Sequence, residues 1–259
     1  MCRPDCSLLD QPIALNIMFY PRRDPYPNDE LDVFFPVAPG IRVGGRLYAS
    51  GRESPLLLLF HGNGEIASDY DDLAQIYGQV GLSLLVADYR GYGKSDGTPT
   101  ASALLDDALV LYRLLVDVVS ERGLNPSRVI IMGRSLGSAA ALEIVTGADG
   151  GVSGLIIESG FASALGLIER LGGPLPHTLQ GGVSGFDNAV KMEKVQIPTL
   201  IIHGEADQII PVEHGKTLFD HCRARDKRLV IIPGAGHNDL LLLGAKTYFD
   251  AIRTFVSQK

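Results

Sequence analysis

Six short apolar runs alternating with segments of helical periodicity constrain this 259-residue chain more than any other feature. The runs are Leu56 to Phe60, Leu82 to Ala87, Val129 to Met132, Leu155 to Ile157, Thr199 to Ile202 and Leu229 to Ile232. Each is too short for a typical helix and continuous enough for a strand buried on both faces. Between them, helical patterns cover roughly 67–79, 101–122, 136–146, 212–222 and 238–256. The last places Leu241, Ala245, Tyr248, Ile252 and Phe255 on one stripe. Strands alternating with helices predict an α/β fold, with a mostly parallel central sheet covered by helices on both faces.

Two stretches break the rhythm. In residues 1–40, Pro21, Pro25, Pro27, Pro36 and Pro39 forbid long helices. This part reads as an irregular segment packed on, or leading into, the core. Leu31 to Phe35 and Ile41 to Ala49 read as short strands with a turn at Gly44-Gly45. The remainder, 41–259, reads as one domain interrupted by a lid-like insertion at about 161–190, rich in Gly and Pro. Its Leu165, Leu167, Ile168, Leu171 and Leu179 either line an acyl site or pack on the sheet.

Composition excludes several classes. Hydrophobic residues at 46% and charged residues at 20% rule out wholesale disorder. No apolar run approaches the ~20 residues of a membrane-spanning helix, and the N-terminus lacks the basic-then-apolar order of a secretory signal. The net charge is −7 and no block of Lys or Arg stands out, so a nucleic-acid partner is not expected. Cys2, Cys6 and Cys222 make no disulfide framework, which points to a reducing cytoplasm. Cys2 and Cys6 lack a nearby His or third Cys and read as ordinary or disordered-end cysteines.

The chemistry gathers at strand ends, where open parallel sheets bind their ligands. Val129 to Met132 runs into Gly133-Arg134-Ser135-Leu136-Gly137 and then a helix that opens with small residues. In so sharp a strand-to-helix turn, side chains two positions either side of the serine would collide, which explains both glycines. A serine hydroxyl needs a base to take its proton. Of six histidines, His61 sits in a loop better suited to offering backbone N–H groups, and His203 ends a strand ahead of an acidic loop. His214 and His221 fall on a surface helix and His177 in the insertion. His237 follows the glycine loop after the last strand, where an imidazole can swing against the serine. Asp207, on a loop closed by Pro211, is the preferred acid to orient it; Glu158 is the rival, and Glu205 a loop neighbour. The oxyanion site then calls for the backbone N–H groups of Leu136 and of the His61-Gly62-Asn63-Gly64 loop, for which Asn63 is the choice.

With these residues in place, the chain resembles the α/β-hydrolase superfamily over about 41–256. Asp88-Tyr89-Arg90-Gly91-Tyr92-Gly93-Lys94-Ser95 matches the Asp-X-Arg-Gly-X-Gly-X-Ser segment of that superfamily. The order Ser135, Asp207, His237 is the superfamily's order. Within it, the chain looks most like compact, nearly capless serine hydrolases, the depalmitoylase-like and bacterial esterase-like members. Its two cysteines near the N-terminus differ from the cysteine cluster of membrane-targeted depalmitoylases. Arg90, Tyr92 and Arg134 read as positional. The resemblance implies hydrolysis of acyl esters or thioesters through an acyl-enzyme, on a small-molecule or acylated substrate, with no metal or organic cofactor. Peptidase or acyltransferase chemistry on the same residues is the alternative, and a non-catalytic ligand-binding protein on this fold is the other; oligomeric state is left open.

Overall fold

The computed structural model describes residues 6–165 and 185–257. The elements along the chain are α1 (Pro12–Met18), β1 (Asp32–Ala38), β2 (Ile41–Tyr48) and β3 (Leu56–Phe60). A 3-10 turn at Ala67–Tyr70 leads into α2 (Asp71–Gln79), followed by β4 (Ser83–Ala87), α3 (Ala101–Glu121), β5 (Val129–Arg134) and α4 (Gly137–Gly147). Then come β6 (Val152–Glu158), α5 (Asn188–Met192), β7 (Thr199–Gly204), α6 (Val212–His221), β8 (Lys227–Ile232) and α7 (Leu240–Ser257). All six expected strands are present, their ends shifted by no more than three residues.

The eight strands form one sheet in the order β1-β2-β4-β3-β5-β6-β7-β8. β1 pairs antiparallel with β2 and β2 with β4; the others are parallel. Successive side chains point to opposite faces. Leu56, Leu58, Phe60, Ile131, Leu155 and Ile157 therefore pack towards α3 and α4. Leu57, Leu59, Ile130, Met132, Ile156 and Ile202 pack towards α2 and α7, against Tyr77, Tyr248 and Ile252. Burial on both faces is what forced the apolar runs to be continuous, and each such side chain contributes about 1.5–3 kcal/mol. The chain leaves β3 for β4 on one side and returns to β5 on the other. Strand order thus reverses at the carboxyl ends of β3 and β5, the crevice where such sheets bind ligands.

The structure corrects or refines four local expectations. The turn between β1 and β2 lies at Pro39-Gly40, with Gly40 at φ +70°, whereas Gly44 and Gly45 are inside β2. A Cβ on Gly45 would stand 2.6 Å from the Val86 carbonyl oxygen, so that glycine serves strand packing and not a turn. The expected stripe on the last helix holds at Leu241, Tyr248, Ile252 and Phe255 but not throughout: at Gly244 the backbone leaves helical geometry (φ −141°, ψ 25°), and Ile232 occupies the space a side chain there would need. Beside this kink Ala245 is exposed, while Phe249 and Val256 join the core. Residues 1–40 hold the expected strand, β1 at the sheet edge, and add a short helix, α1, that the sequence reading did not name. Buried Arg46 on β2 ties this region down, pairing with Asp29 and Asp32 at 3.0 Å and with Asp71 at 2.9 Å. Of the two readings left open for Cys6, the ordinary cysteine is the one found: it is 3% exposed within the core.

Candidate active site

The turn from β5 into α4 holds Ser135 at φ +51°, a conformation L-residues rarely adopt. A Cβ on Gly133 would lie 2.4 Å from the Gly137 carbonyl oxygen, and one on Gly137 only 2.1 Å from that of Phe60. Both glycines are therefore demanded by backbone contact. Ser135 N–H donates to the Glu158 carbonyl at 2.9 Å, and Ser138 Oγ caps the Ser135 carbonyl at 2.6 Å. Asn188 Nδ2 donates in turn to Ser138 Oγ at 3.1 Å, so α5 braces the elbow from behind.

Against this serine stands His237, on the loop after β8, its Nε2 3.0 Å from Ser135 Oγ. Its Nδ1 is 2.7 Å from Asp207 Oδ2. With Nδ1–H donated to the carboxylate, Nε2 is left as an acceptor for the serine O–H. Asp207 Oδ1 accepts the backbone N–H groups of Ile209 and Ile210 at 2.9 and 2.8 Å. Burial alone would raise this carboxyl. The neighbouring His203 imidazole, the hydrogen bond with His237 and the Ile210 N–H outweigh it and hold Asp207 well below the usual carboxylate range.

The rival acid is occupied elsewhere. Glu158 accepts from Arg134 Nε at 3.0 Å and from Tyr248 OH at 2.6 Å. Glu205 caps the Gly234 N–H at 2.9 Å. His61 is fully buried between the Gly62 carbonyl and Asp88 Oδ1, at 2.8 and 3.2 Å. His214 Nδ1 accepts the Ala162 N–H at 3.1 Å, and His221 meets Glu193 at 3.0 Å. His177, with Leu167, Ile168, Leu171 and Leu179, lies outside the described residues.

Asn63 and Leu136 both face the cleft that contains Ser135. Among the described residues neither backbone N–H is donated to a protein acceptor. The Asn63 side chain is well held, Oδ1 accepting from Tyr20 N–H at 2.8 Å and from Tyr92 OH at 2.7 Å. Tyr92 thus steadies the loop, while Arg90 pairs bidentately with Asp107 on α3 at 2.7 Å. In the same segment Asp88 accepts the Ala67 N–H at 2.9 Å, and Gly93 has no room for a side chain beside it.

The cleft is about 310 Å³ and mostly apolar, walled by Ile17, Met18, Phe161, Ala164, Ile209 and Ile210 around the polar centre. Three contributors escaped sequence reasoning. Ile17, Met18 and Tyr20 come from the end of α1, whose Pro12 start marks a helix but says nothing of where it docks. His203 lies 3.5 Å from Asp207 Oδ2 and donates to the Ile210 carbonyl at 2.7 Å, giving the acid a second imidazole neighbour. Glu65 pairs with Arg134 at 2.5 Å and is held below the usual range, Arg134 and other partners overcoming the opposing effect of burial. Among the described residues, no group of three or more His, Cys, Asp and Glu side chains is placed to share a metal ion.

A serine on a strand–turn–helix elbow, faced by a histidine at the carboxyl edge of a mostly parallel sheet, defines the α/β-hydrolase class. Comparison with known proteins agrees. The chain belongs to the α/β-hydrolase superfamily and, within it, to the Hydrolase_4 family ("Serine aminopeptidase, S33"), whose model matches residues 51–168 and 170–241. It is 30% identical over 252 residues to the Mycobacterium tuberculosis protein Rv2307c, covering 93% of this chain and 86% of the relative. It is 31% identical over 208 residues to human alpha/beta hydrolase domain-containing protein 17B, covering 78% of this chain and 66% of that one. The Pyrococcus furiosus esterase Pf2001 shares the fold with a TM-score of 0.73 at 17% identity, over 92% of this chain and 98% of the esterase. Among the described residues, no helix is long and apolar enough to cross a membrane.

Proposed function

We propose that this chain is a serine hydrolase of acyl esters or thioesters. Ser135 Oγ attacks the acyl carbonyl while His237 Nε2 takes the hydroxyl proton and then delivers it to the leaving oxygen or sulfur. Asp207 holds the imidazole in the required tautomer and stabilises the imidazolium. The backbone N–H groups of Asn63 and Leu136 receive the oxyanion, each worth about 3–4 kcal/mol of barrier. Water activated by His237 then releases the acid. The observation that carries this reading is the pair of contacts made by one imidazole, 3.0 Å to Ser135 and 2.7 Å to Asp207, beside an apolar cleft.

The family's description raises amide hydrolysis as a second reading. The cleft favours the first, since Arg134 is the only Lys, Arg, Asp or Glu in its described lining, whereas Ile17, Met18 and Ile209 suit an acyl chain. One domain, 41–259 with its preceding segment, and cytoplasmic residence complete the proposal.

The test is labelling by a fluorophosphonate probe together with turnover of p-nitrophenyl esters, the matching thioesters and amino-acyl p-nitroanilides. Wild type is expected to label and to turn over the esters or thioesters, and Ser135→Ala to do neither. Undiminished labelling of Ser135→Ala rules out this nucleophile, and preferential turnover of the anilides favours the second reading.

A further inference from the structure

Arg134 is the variable residue of Gly-X-Ser-X-Gly, yet its guanidinium reaches three separate parts of the site. Nε donates to Glu158 Oε1 at 3.0 Å. Nη1 pairs with Glu65 Oε1 at 2.5 Å. Nη2 donates both to the His237 carbonyl and to Asn238 Oδ1, each at 3.0 Å.

Each partner leads to another component. Glu158 is the residue whose carbonyl receives the Ser135 N–H. Glu65 Oε2 accepts the Gly62 N–H at 2.8 Å, fixing the loop that carries Asn63. A Cβ on Gly62 would lie 2.5 Å from Arg134 Nη1, so any side chain there would displace the guanidinium. His237 and Asn238 are the histidine loop. The side chain is only 12% exposed, walls the cleft beside Ser135, and also borders a second cavity of about 220 Å³ that His237 shares. There Tyr70 OH donates to Glu65 at 2.8 Å and Tyr248 OH to Glu158 at 2.6 Å.

We infer that Arg134 is the positioning residue that sets the histidine loop and the oxyanion loop relative to the serine elbow. The inference rests on the hydrolase reading above. The geometry requires a guanidinium. Its planar fork supplies rigid, divergent N–H donors, whereas lysine offers a point charge that cannot hold four acceptors in three directions. The two carboxylates make Arg134 rigid, and a rigid Arg134 holds the His237 carbonyl and hence the imidazole's approach to Ser135. It touches no reacting atom in this role.

The test compares full-length wild type, Arg134→Lys and Asn238→Ala. Asn238 is exposed, so its truncation removes one tie without threatening the core. Arg134→Lys is expected to lose about 100-fold in kcat with KM within about twofold, as for an ångström-scale misplacement. Asn238→Ala is expected to lose about threefold to tenfold in kcat, the effect of one hydrogen bond. Independently of turnover, the low-field proton resonance of the His237–Asp207 hydrogen bond, assigned by its loss in His237→Ala, should shift or broaden in both variants. Unchanged kcat with an unmoved resonance overturns the inference. Should Arg134→Lys fail to fold, Asn238→Ala decides alone. Should wild type hydrolyse nothing, the hydrolase reading fails while the resonance still decides the positioning role.

Discussion

Gly137 lies so close to Phe60 that a Cβ on the glycine would stand 2.1 Å from the phenylalanine carbonyl oxygen. The elbow after β5 is thereby pressed against the end of β3, from which the Asn63 loop departs. The same contact that shapes the turn brings Leu136 and Asn63 to one cleft.

Gly137→Ala must push two backbones apart, because neither the carbonyl nor the helix start can rotate away. A cost of about 3 kcal/mol is expected, at the upper end for overpacking. Gly133→Ala is expected to behave alike, its Cβ meeting backbone at 2.4 Å. Urea denaturation measures it, and a loss under about 0.5 kcal/mol, typical of a neutral surface change, would show that the turn can relax.

Asp207 carries a pH signature. Its folded carboxyl lies well below the ordinary value, so the unfolded chain takes up the proton first as pH falls. The stability from its hydrogen bonds is present above the unfolded value of about 3.9 and is lost as pH drops below it towards the folded value. Asp207→Asn lacks that titration. Its kcat should fall about 10⁴-fold at pH 7. The gap in Tm between wild type and Asp207→Asn should narrow from pH 5 to pH 3, and a constant gap would mean that this carboxylate is not what titrates.

The cleft wall from α1 sets a chain-length dependence. Each methylene removed from water is worth about 0.8 kcal/mol, roughly fourfold in kcat/KM, until the apolar surface is used up. A panel of p-nitrophenyl esters from acetyl to palmitoyl is expected to rise and then level off. Ile17→Asp should flatten the rise while leaving the acetyl ester within about threefold of wild type, since the first carbons do not reach that wall. A parallel drop for every ester would instead mark a general loss of structure.

Burial, followed by the charge of Asp10, pushes the Cys6 thiol up to about 11. Because the folded value exceeds the unfolded one, this contribution to stability is complete below the unfolded value and lost as pH rises through about 11. Native protein treated with iodoacetamide at pH 8 should leave Cys6 and Cys222 unmodified, both being buried. Mass spectrometry reads this, and rapid alkylation of Cys6 would show that the N-terminal segment opens readily.

Much of this architecture was legible because it is enforced locally. A strand buried on both faces must be continuously apolar, so β3 to β8 announced themselves. A strand-to-helix turn with no room beside its serine must carry glycines, so Gly133 and Gly137 marked the elbow before any coordinates did. The opposite holds wherever a residue's meaning lies in its distant neighbours. Gly44-Gly45 looks like a turn until Val86 is found packed against it, and Gly244 has a reason only once Ile232 is found where its side chain would stand. Glu158 ends a strand and Asp207 lies on the loop after one, and only the third dimension turns Asp207 towards His237 and Glu158 towards Arg134 and Tyr248. The docking of α1 beside Ser135 and the reach of Arg134 to Glu65, Glu158 and Asn238 span separations of 24 to 104 residues or more. Periodicity and turn chemistry act over a few residues, so the sequence alone determined the elements and the elbow. Contacts across the folded sheet decided what surrounds them.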